Sequence, residues 1–157
     1  MTGAVSENCD IAIVGAGMAG ASLAASLAGE ASVIMLEAED VAGYHATGRS
    51  AAFWEETYGG PQVFPLTVAS GPYLREGGFL TPRGALHIGR AGDVEAIEAY
   101  VARFAALGAN MERLDQAKMA RLVPGLKPEW VDGTWSESCC DIDVGALHAH
   151  FLSRAQA

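Results

Sequence analysis

Three glycines and one acid form the chemically densest stretch of this sequence. Gly15, Gly17 and Gly20 stand as G-x-G-x-x-G, and Glu37 follows Gly15 by twenty-two residues. Each has its own task in holding a dinucleotide. Gly15 allows a tight turn, Gly17 lets a pyrophosphate approach the backbone, and Gly20 lets a helix pack close to a strand. A helix opening at Met18 and Ala19 offers free N–H groups and partial positive charge to phosphates. Glu37 stands where a carboxylate accepts hydrogen bonds from ribose hydroxyls. A chain with 19 glycines can produce such a motif by chance, so the context decides. Ile11, Ile13 and Val14 read as a short buried strand before the turn. Leu23 and Leu27 supply an i, i+4 helix face, and Val33 to Leu36 read as a second strand ending at the acid. The plainer alternative is an ordinary βαβ unit with a glycine turn and a surface glutamate.

The elements that must position these residues follow from the rest of the pattern. After a turn over residues 39–43, Ser50 to Glu56 has good helix formers. Gly59-Gly60-Pro61 breaks that helix, and Pro61 can begin the next, to about Glu76, although Pro65 and Pro72 interrupt it. Phe79 to Arg90 reads as strand. Asp93 to Leu107 is the clearest amphipathic helix, with Val94, Ile97, Val101, Phe104 and Leu107 at helical spacing and Gly108 as its stop. A short helix spans Asp115 to Leu122, a strand spans residues 130–136, and Asp143 to Ala157 opens a last helix. Leu147, Phe151 and Leu152 give that helix an apolar face, with no stop signal after it.

With 157 residues, the chain has the length of roughly one domain. Half its residues are apolar and 18% are charged, an ordinary globular balance. Its net charge of −9 argues against nucleic acid or an anionic membrane as a partner. No apolar run approaches a membrane span. The segment from Met1 to Asn8 lacks the basic start and apolar core of a secretory signal. Cys9, Cys139 and Cys140 have no framework spacing, which fits the reducing cytoplasm. Cys139 and Cys140, like His87, His148 and His150, lack partners at metal-ligand spacing, so no metal is expected.

At residues 44–52 the sequence becomes more specific. Gly43-Tyr44-His45-Ala46-Thr47-Gly48-Arg49-Ser50-Ala51-Ala52, following the glycine motif and Glu37, resembles the FAD-dependent D-amino-acid oxidase and dehydrogenase superfamily, and within it the D-arginine dehydrogenase-like branch. The resemblance continues through Tyr58-Gly59, Pro61-Gln62-Val63, Thr81-Pro82-Arg83 and Asp141-Ile142-Asp143 to Ala146-Leu147-His148. It implies an α/β fold: a Rossmann-like FAD-binding βαβ unit with part of an inserted α+β substrate lobe, here incomplete. Residues 1–76 would be the N-terminal part of the FAD-binding lobe. Residues 77–140 would be a partial substrate lobe, and 141–157 a helix returning toward the first. The same resemblance makes Gly15, Gly17, Met18, Ala19, Gly20, Glu37, Ala38, His45, Ala46, Thr47, Gly48, Arg49, Ser50, Ala51, Ala52 and Phe53 the expected FAD contacts. Small residues there let backbone N–H groups crowd a phosphate or the flavin edge. Ser50 can donate a hydroxyl hydrogen bond, and Arg49 can offer a bidentate fork or stand as a surface ion pair. His45 is expected to be a hydrogen-bonding loop histidine rather than a covalent flavin anchor. Tyr58 matches a lid tyrosine near the substrate, or simply packs before the Gly-Gly turn.

Two departures from the branch bear on substrate. Phe53 stands where D-arginine-type relatives carry a histidine, and Ala85 stands where they carry a glutamate facing a cationic side chain. A buried cation without a carboxylate is poorly tolerated. The sequence therefore argues against arginine or lysine and for a small or apolar D-amino acid, or another secondary amine. The implied reaction is hydride removal from the amine-bearing carbon, with the flavin as acceptor. Two alternatives stay open: an NAD-binding Rossmann protein, and a non-catalytic fragment or subunit that needs a second chain to complete its sheet and pocket.

Overall fold

Four apolar residues on either side of the glycine turn pair as parallel strands, β1 (Ile11–Val14) and β2 (Val33–Leu36), in register from Ile11 with Val33 to Val14 with Leu36. In this computed structural model, which describes residues 7–156, these are the two strands of the first of two compact units. That unit takes the chain up to Ala52 and again from Asp143 onward; the second is Phe53–Ile142. The reading of Met1 to Asn8 as non-secretory falls mostly outside the described residues, as does Ala157.

In the first unit, helix α1 (Met18–Leu27) buries Ala21, Ala24 and Ala25. The predicted Leu23 and Leu27 face is not the buried one: Leu23 is 48% exposed. Alanine wins because the face is set by close approach. Helix α5 (Val144–Ala155), which buries Leu147 and His148, packs against α1, and only a small side chain fits between helices at short range. Asp143 caps α5, its carboxylate accepting from the Ala146 N–H at 2.8 Å. The strand before the turn is buried on one side only. Ile13 is buried, whereas Val14 is 86% exposed, because alternate residues of a strand face opposite ways.

The second unit is antiparallel. Strands β3 (Phe53–Trp54), β4 (Leu80–Pro82) and β8 (Cys140–Ile142) form one sheet in the order β3-β8-β4. Strands β5 (Ala85–Gly89), β6 (Glu112–Asp115) and β7 (Asp132–Ser136) form another in the order β5-β7-β6. Helices α2 (Phe64–Glu76), α3 (Val94–Ala105) and α4 (Gln116–Leu122) complete it, and the core gathers Trp54, Phe64, Leu74, Phe104, Leu114 and Met119.

Several predicted elements change character here. The helix expected over Ser50 to Glu56 is turn and strand: Ala52 takes a left-handed φ of 55°, which a helix cannot contain. The next helix starts at Phe64 rather than Pro61, because Gly59 and Gly60 both have positive φ; Pro65 then falls in its first turn, where no N–H is needed. The run Phe79 to Arg90 splits into β4 and β5 in different sheets. Gly84 makes the break with φ 76°, and a Cβ there would overlap the Trp135 ring. Strand β6, Glu-Arg-Leu-Asp, has too little apolar content to read as strand. It forms because β7 offers it a full ladder, Glu112 with Trp135 through Asp115 with Asp132. Residues 53–76, grouped by sequence with the FAD-binding lobe, here belong with the second unit.

Candidate functional site: a dinucleotide cradle and a lined cavity

The turn between β1 and α1 carries the predicted glycines. Gly15 has φ 96°, a conformation that side chains resist. Gly20 sits so close beneath it that a Cβ would overlap the Gly15 carbonyl. Gly17 caps α1 in extended geometry, so the helix's first amides face outward from the turn. The Met18 N–H donates to the Thr47 hydroxyl at 2.8 Å, while Ala19 lies exposed in the same first turn.

Glu37, at the end of β2, is tied to this turn. Its Oε2 accepts from the Ala16 N–H at 2.9 Å, and its Oε1 accepts from the Ala38 and Glu39 N–H groups at 2.8 and 3.1 Å. These donors, Ala16 first, hold its pKa below the ordinary carboxylate value, and the nearby His45 adds to the effect. A carboxylate has about four lone-pair sites, so three N–H donors leave capacity for a ribose hydroxyl.

The loop that follows brings His45, Ala46, Thr47, Gly48, Arg49 and Ser50 onto the same unit. The Gly48 N–H donates to the Gly43 carbonyl at 2.7 Å, closing the loop. His45 is exposed and pairs through Nε2 with Glu39 Oε1 at 2.7 Å. The Arg49 guanidinium lies over the Tyr44 ring, 5.2 Å from its centroid, and makes no ion pair among the described residues. The Ser50 hydroxyl accepts from the Ala52 N–H at 3.1 Å, helping to hold the left-handed turn after Ala51.

One residue of this cradle escaped the sequence reading. His148, on α5, is buried, and its Nε2 bonds the Ala16 carbonyl at 2.7 Å. A carbonyl only accepts, so Nε2 carries a hydrogen. The same ring packs on Gly43, where a Cβ would come within 2.9 Å of His148 Cε1. The signal was its position on the buried face of a helix beside Leu147. A search for metal spacing could not find it, because its partner is a backbone carbonyl 132 residues away.

Phe53 and Tyr58 fall in the second unit. They stack edge to face with centroids 5.3 Å apart, and both line a cavity of about 410 Å³. Ile88, Ile97 and Tyr100 supply further apolar wall, and Glu55, Thr57, His87, Asp93 and Thr134 its polar groups. The lining contains no lysine or arginine. Ala85, which stands in place of a carboxylate, is not in the lining, but Glu55 is. No cluster of possible metal ligands occurs among the described residues. None of their helices is long and apolar enough to cross a membrane.

The glycine turn, the helix N-terminus and the partly unfilled Glu37 carboxylate fit the adenosine diphosphate half of FAD. The family comparison agrees: a model described as "DAO: FAD dependent oxidoreductase" matches residues 10–157. Among solved structures, L-alpha-glycerophosphate oxidase from Mycoplasma pneumoniae with FAD bound superposes with a TM-score of 0.85 at 18% identity, over 96% of this chain and 43% of that one. L-proline dehydrogenase from P. horikoshii gives 0.83 at 19%, over 97% and 42%. Glycine oxidase from Bacillus cereus gives 0.76 at 20%, over 95% and 44%. At such identities the likeness is one of fold, and the chain spans less than half the length of these proteins. The dinucleotide left open between FAD and NAD by the glycine motif is FAD, and the chain belongs to the DAO family of FAD-dependent oxidoreductases.

Proposed function

We propose that this chain serves an FAD-dependent oxidoreductase that oxidises the amine-bearing carbon of a small amine or amino acid, in the cytoplasm. The observation that carries the substrate class is the cavity of the second unit: aromatic and aliphatic walls, a buried carboxylate, and no cationic side chain in its lining. An amine with an apolar body matches that lining, and a cavity of about 410 Å³ suits an amino acid in size. The D configuration is what the resemblance at residues 44–52 suggests. Ala85 leaves a cationic side chain without a carboxylate at that position. Glu55 supplies a carboxylate elsewhere in the lining, but the apolar walls still favour an uncharged side chain.

Bound FAD supplies the hydride acceptor. The chain's residues do the rest. The first turn of α1 and the turn at Gly17 would hold the pyrophosphate, and Glu37 the ribose. Phe53 and Tyr58 would exclude water from the substrate's carbon skeleton, and the Tyr100 hydroxyl, backed through Thr57 by Glu55, would face its amine. The loop of residues 45–52 would hold FAD without a covalent bond, since His45 is committed to Glu39.

The test is anaerobic flavin bleaching of the FAD-loaded protein by a panel of D- and L-amino acids and secondary amines. Bleaching by apolar amines, and not by hydroxy acids of the same shape, is the expected result. Bleaching by hydroxy acids alone would overturn the reading. A second chain that completes the fold remains the competing account of this chain, favoured by the exposed Val14 and Leu36 beside β1 and β2. Stoichiometric FAD retention by the 157-residue chain after desalting would argue against that need.

A further inference from the structure

Glu55 is buried, at 5% exposure, with no cationic partner within ion-pair distance among the described residues. Its Oε1 accepts hydrogen bonds from the hydroxyls of Thr57 and Ser136, each at 3.1 Å. Its Oε2, shut off from solvent, accepts no hydrogen bond from an N–H or O–H group among the described residues. A buried carboxylate oxygen left in this way is costly unless the group has a use for the spare capacity. The thiol of Cys139 faces the same carboxylate, and Arg83 reaches that thiol with an N–H at 3.4 Å.

The hydroxyls around Glu55 form a continuous file. On the cavity side, the Tyr100 hydroxyl donates to Thr57 Oγ1 at 2.5 Å, and Thr57 donates onward to Glu55. On the other side, Ser136 donates to Glu55, and Ser138 donates to Glu56 Oε2 at 3.1 Å. The two serine oxygens lie 3.3 Å apart. With both hydroxyl hydrogens committed to carboxylates, nothing is left to donate between them. Placing a proton on Glu55 changes this: Ser136 accepts from Glu55, turns, and donates to Ser138. Glu56 and Ser138 are partly exposed, so the file runs from the cavity wall to water.

We propose that Tyr100, Thr57, Glu55, Ser136, Ser138 and Glu56 form a proton path that carries the proton of a bound substrate ammonium out of the cavity, with Glu55 as its way-station. This deepens the functional reading above and rests on it. Loss of the proton is required before a hydride can leave the carbon, because an ammonium has no free pair to form the imine. The ammonium N–H bond breaks and its electron pair stays on nitrogen. The proton joins the Tyr100 oxygen as the Tyr100 hydrogen passes to Thr57 and the Thr57 hydrogen to Glu55. From Glu55 it leaves as hydrogens move in turn onto Ser136, Ser138 and Glu56. No electrons are exchanged. Burial raises the Tyr100 hydroxyl's pKa, which keeps it a phenol able to donate and accept in the same step. Glu55 and Tyr100 belong to the second unit and the glycine turn to the first, so FAD affinity is read as a separate quantity.

The probe is 2-aminoisobutyrate, which carries an ammonium but no hydrogen on the carbon to be oxidised. Pivalate, of the same shape with a methyl for the amine, is its control. In the FAD-loaded protein, rapid mixing with a pH indicator follows proton release, and infrared difference spectra follow protonated carboxyl groups. The expected result is release with the amine and none with pivalate. A carboxylic-acid band should appear transiently in the wild type, persist in Ser136→Ala and be missing in Glu55→Gln. Ser136→Ala and Thr57→Val should each slow release by about a hundredfold, the scale of a lost proton-transfer group, with FAD affinity unchanged. Release at the wild-type rate in both variants, or a band that survives Glu55→Gln, overturns the path. If the wild-type flavin is bleached by amines while these signatures are absent, the path alone fails. If no amine binds or bleaches, the functional reading fails and takes the path with it.

Discussion

Replacing His148 with leucine removes one hydrogen bond from the underside of the turn proposed to hold FAD, and its cost can be worked from the structure. The bond is short, 2.7 Å, and both ends are buried: His148 is 8% exposed and Ala16 4%. Leucine keeps apolar bulk against Gly43 but leaves the Ala16 carbonyl without a donor. An unsatisfied buried acceptor costs about 1–3 kcal/mol, and the change of shape adds less than about 1.5 kcal/mol. A total near 2 kcal/mol corresponds to a melting temperature lower by roughly 4–8 °C for a chain of this size. Ala16 is also the residue whose N–H holds Glu37, so the freed turn disturbs the carboxylate proposed to hold the ribose. Where FAD must re-order that turn, the same energy weakens binding by roughly tenfold or more. Glutamine places an N–H at nearly the same reach as Nε2, so His148→Gln should recover most of both effects. Circular dichroism melts and FAD titrations by fluorescence quenching read the two quantities. If His148→Leu melts with the wild type and binds FAD equally, the positioning role is refuted. If leucine and glutamine behave alike, packing alone is at work.

Other perturbations test neighbouring parts of the molecule. Gly20→Ala drives a Cβ into the Gly15 carbonyl, so α1 must move away from the turn. Overpacking of this kind costs about 1–3 kcal/mol, and FAD retention after desalting should fall sharply while far-ultraviolet dichroism changes little. Acid stability should follow Glu37 and Asp132, whose folded pKa values lie below their ordinary 4.5 and 3.8. The backbone N–H of Ala16 lowers the first, and the Arg113 guanidinium lowers the second. Groups lowered on folding contribute fully above their unfolded values, and the contribution fades as pH falls through the folded ones. Denaturant unfolding should therefore show stability declining below about pH 4.5, with a shallower decline in Glu37→Gln and Asp132→Asn. Unchanged acid profiles in both variants would sink the assignment.

The sequence by itself carried the glycine turn and the acid tied to it. The parts are local: a turn that only glycine tolerates at Gly15, a helix N-terminus directly after it, and an acid one βαβ unit away. Local sterics and hydrogen bonding decide such features, so spacing reveals them. The same holds for α3, whose apolar spacing is regular, and for α4 and α5, where Asp115 and Asp143 cap as their positions suggest. Only the tertiary structure decided the rest. Strand β6 exists because a partner ladder was available, not because Glu-Arg-Leu-Asp prefers it. Alanines rather than Leu23 face the core, because α5 comes close to α1. His148 reached Ala16, and Glu55 reached Ser136, only when segments far apart in the chain were packed together. Such contacts depend on the long-range partner and leave no period in the sequence, which is why the cavity's buried acid and its file of hydroxyls were invisible until the chain was folded.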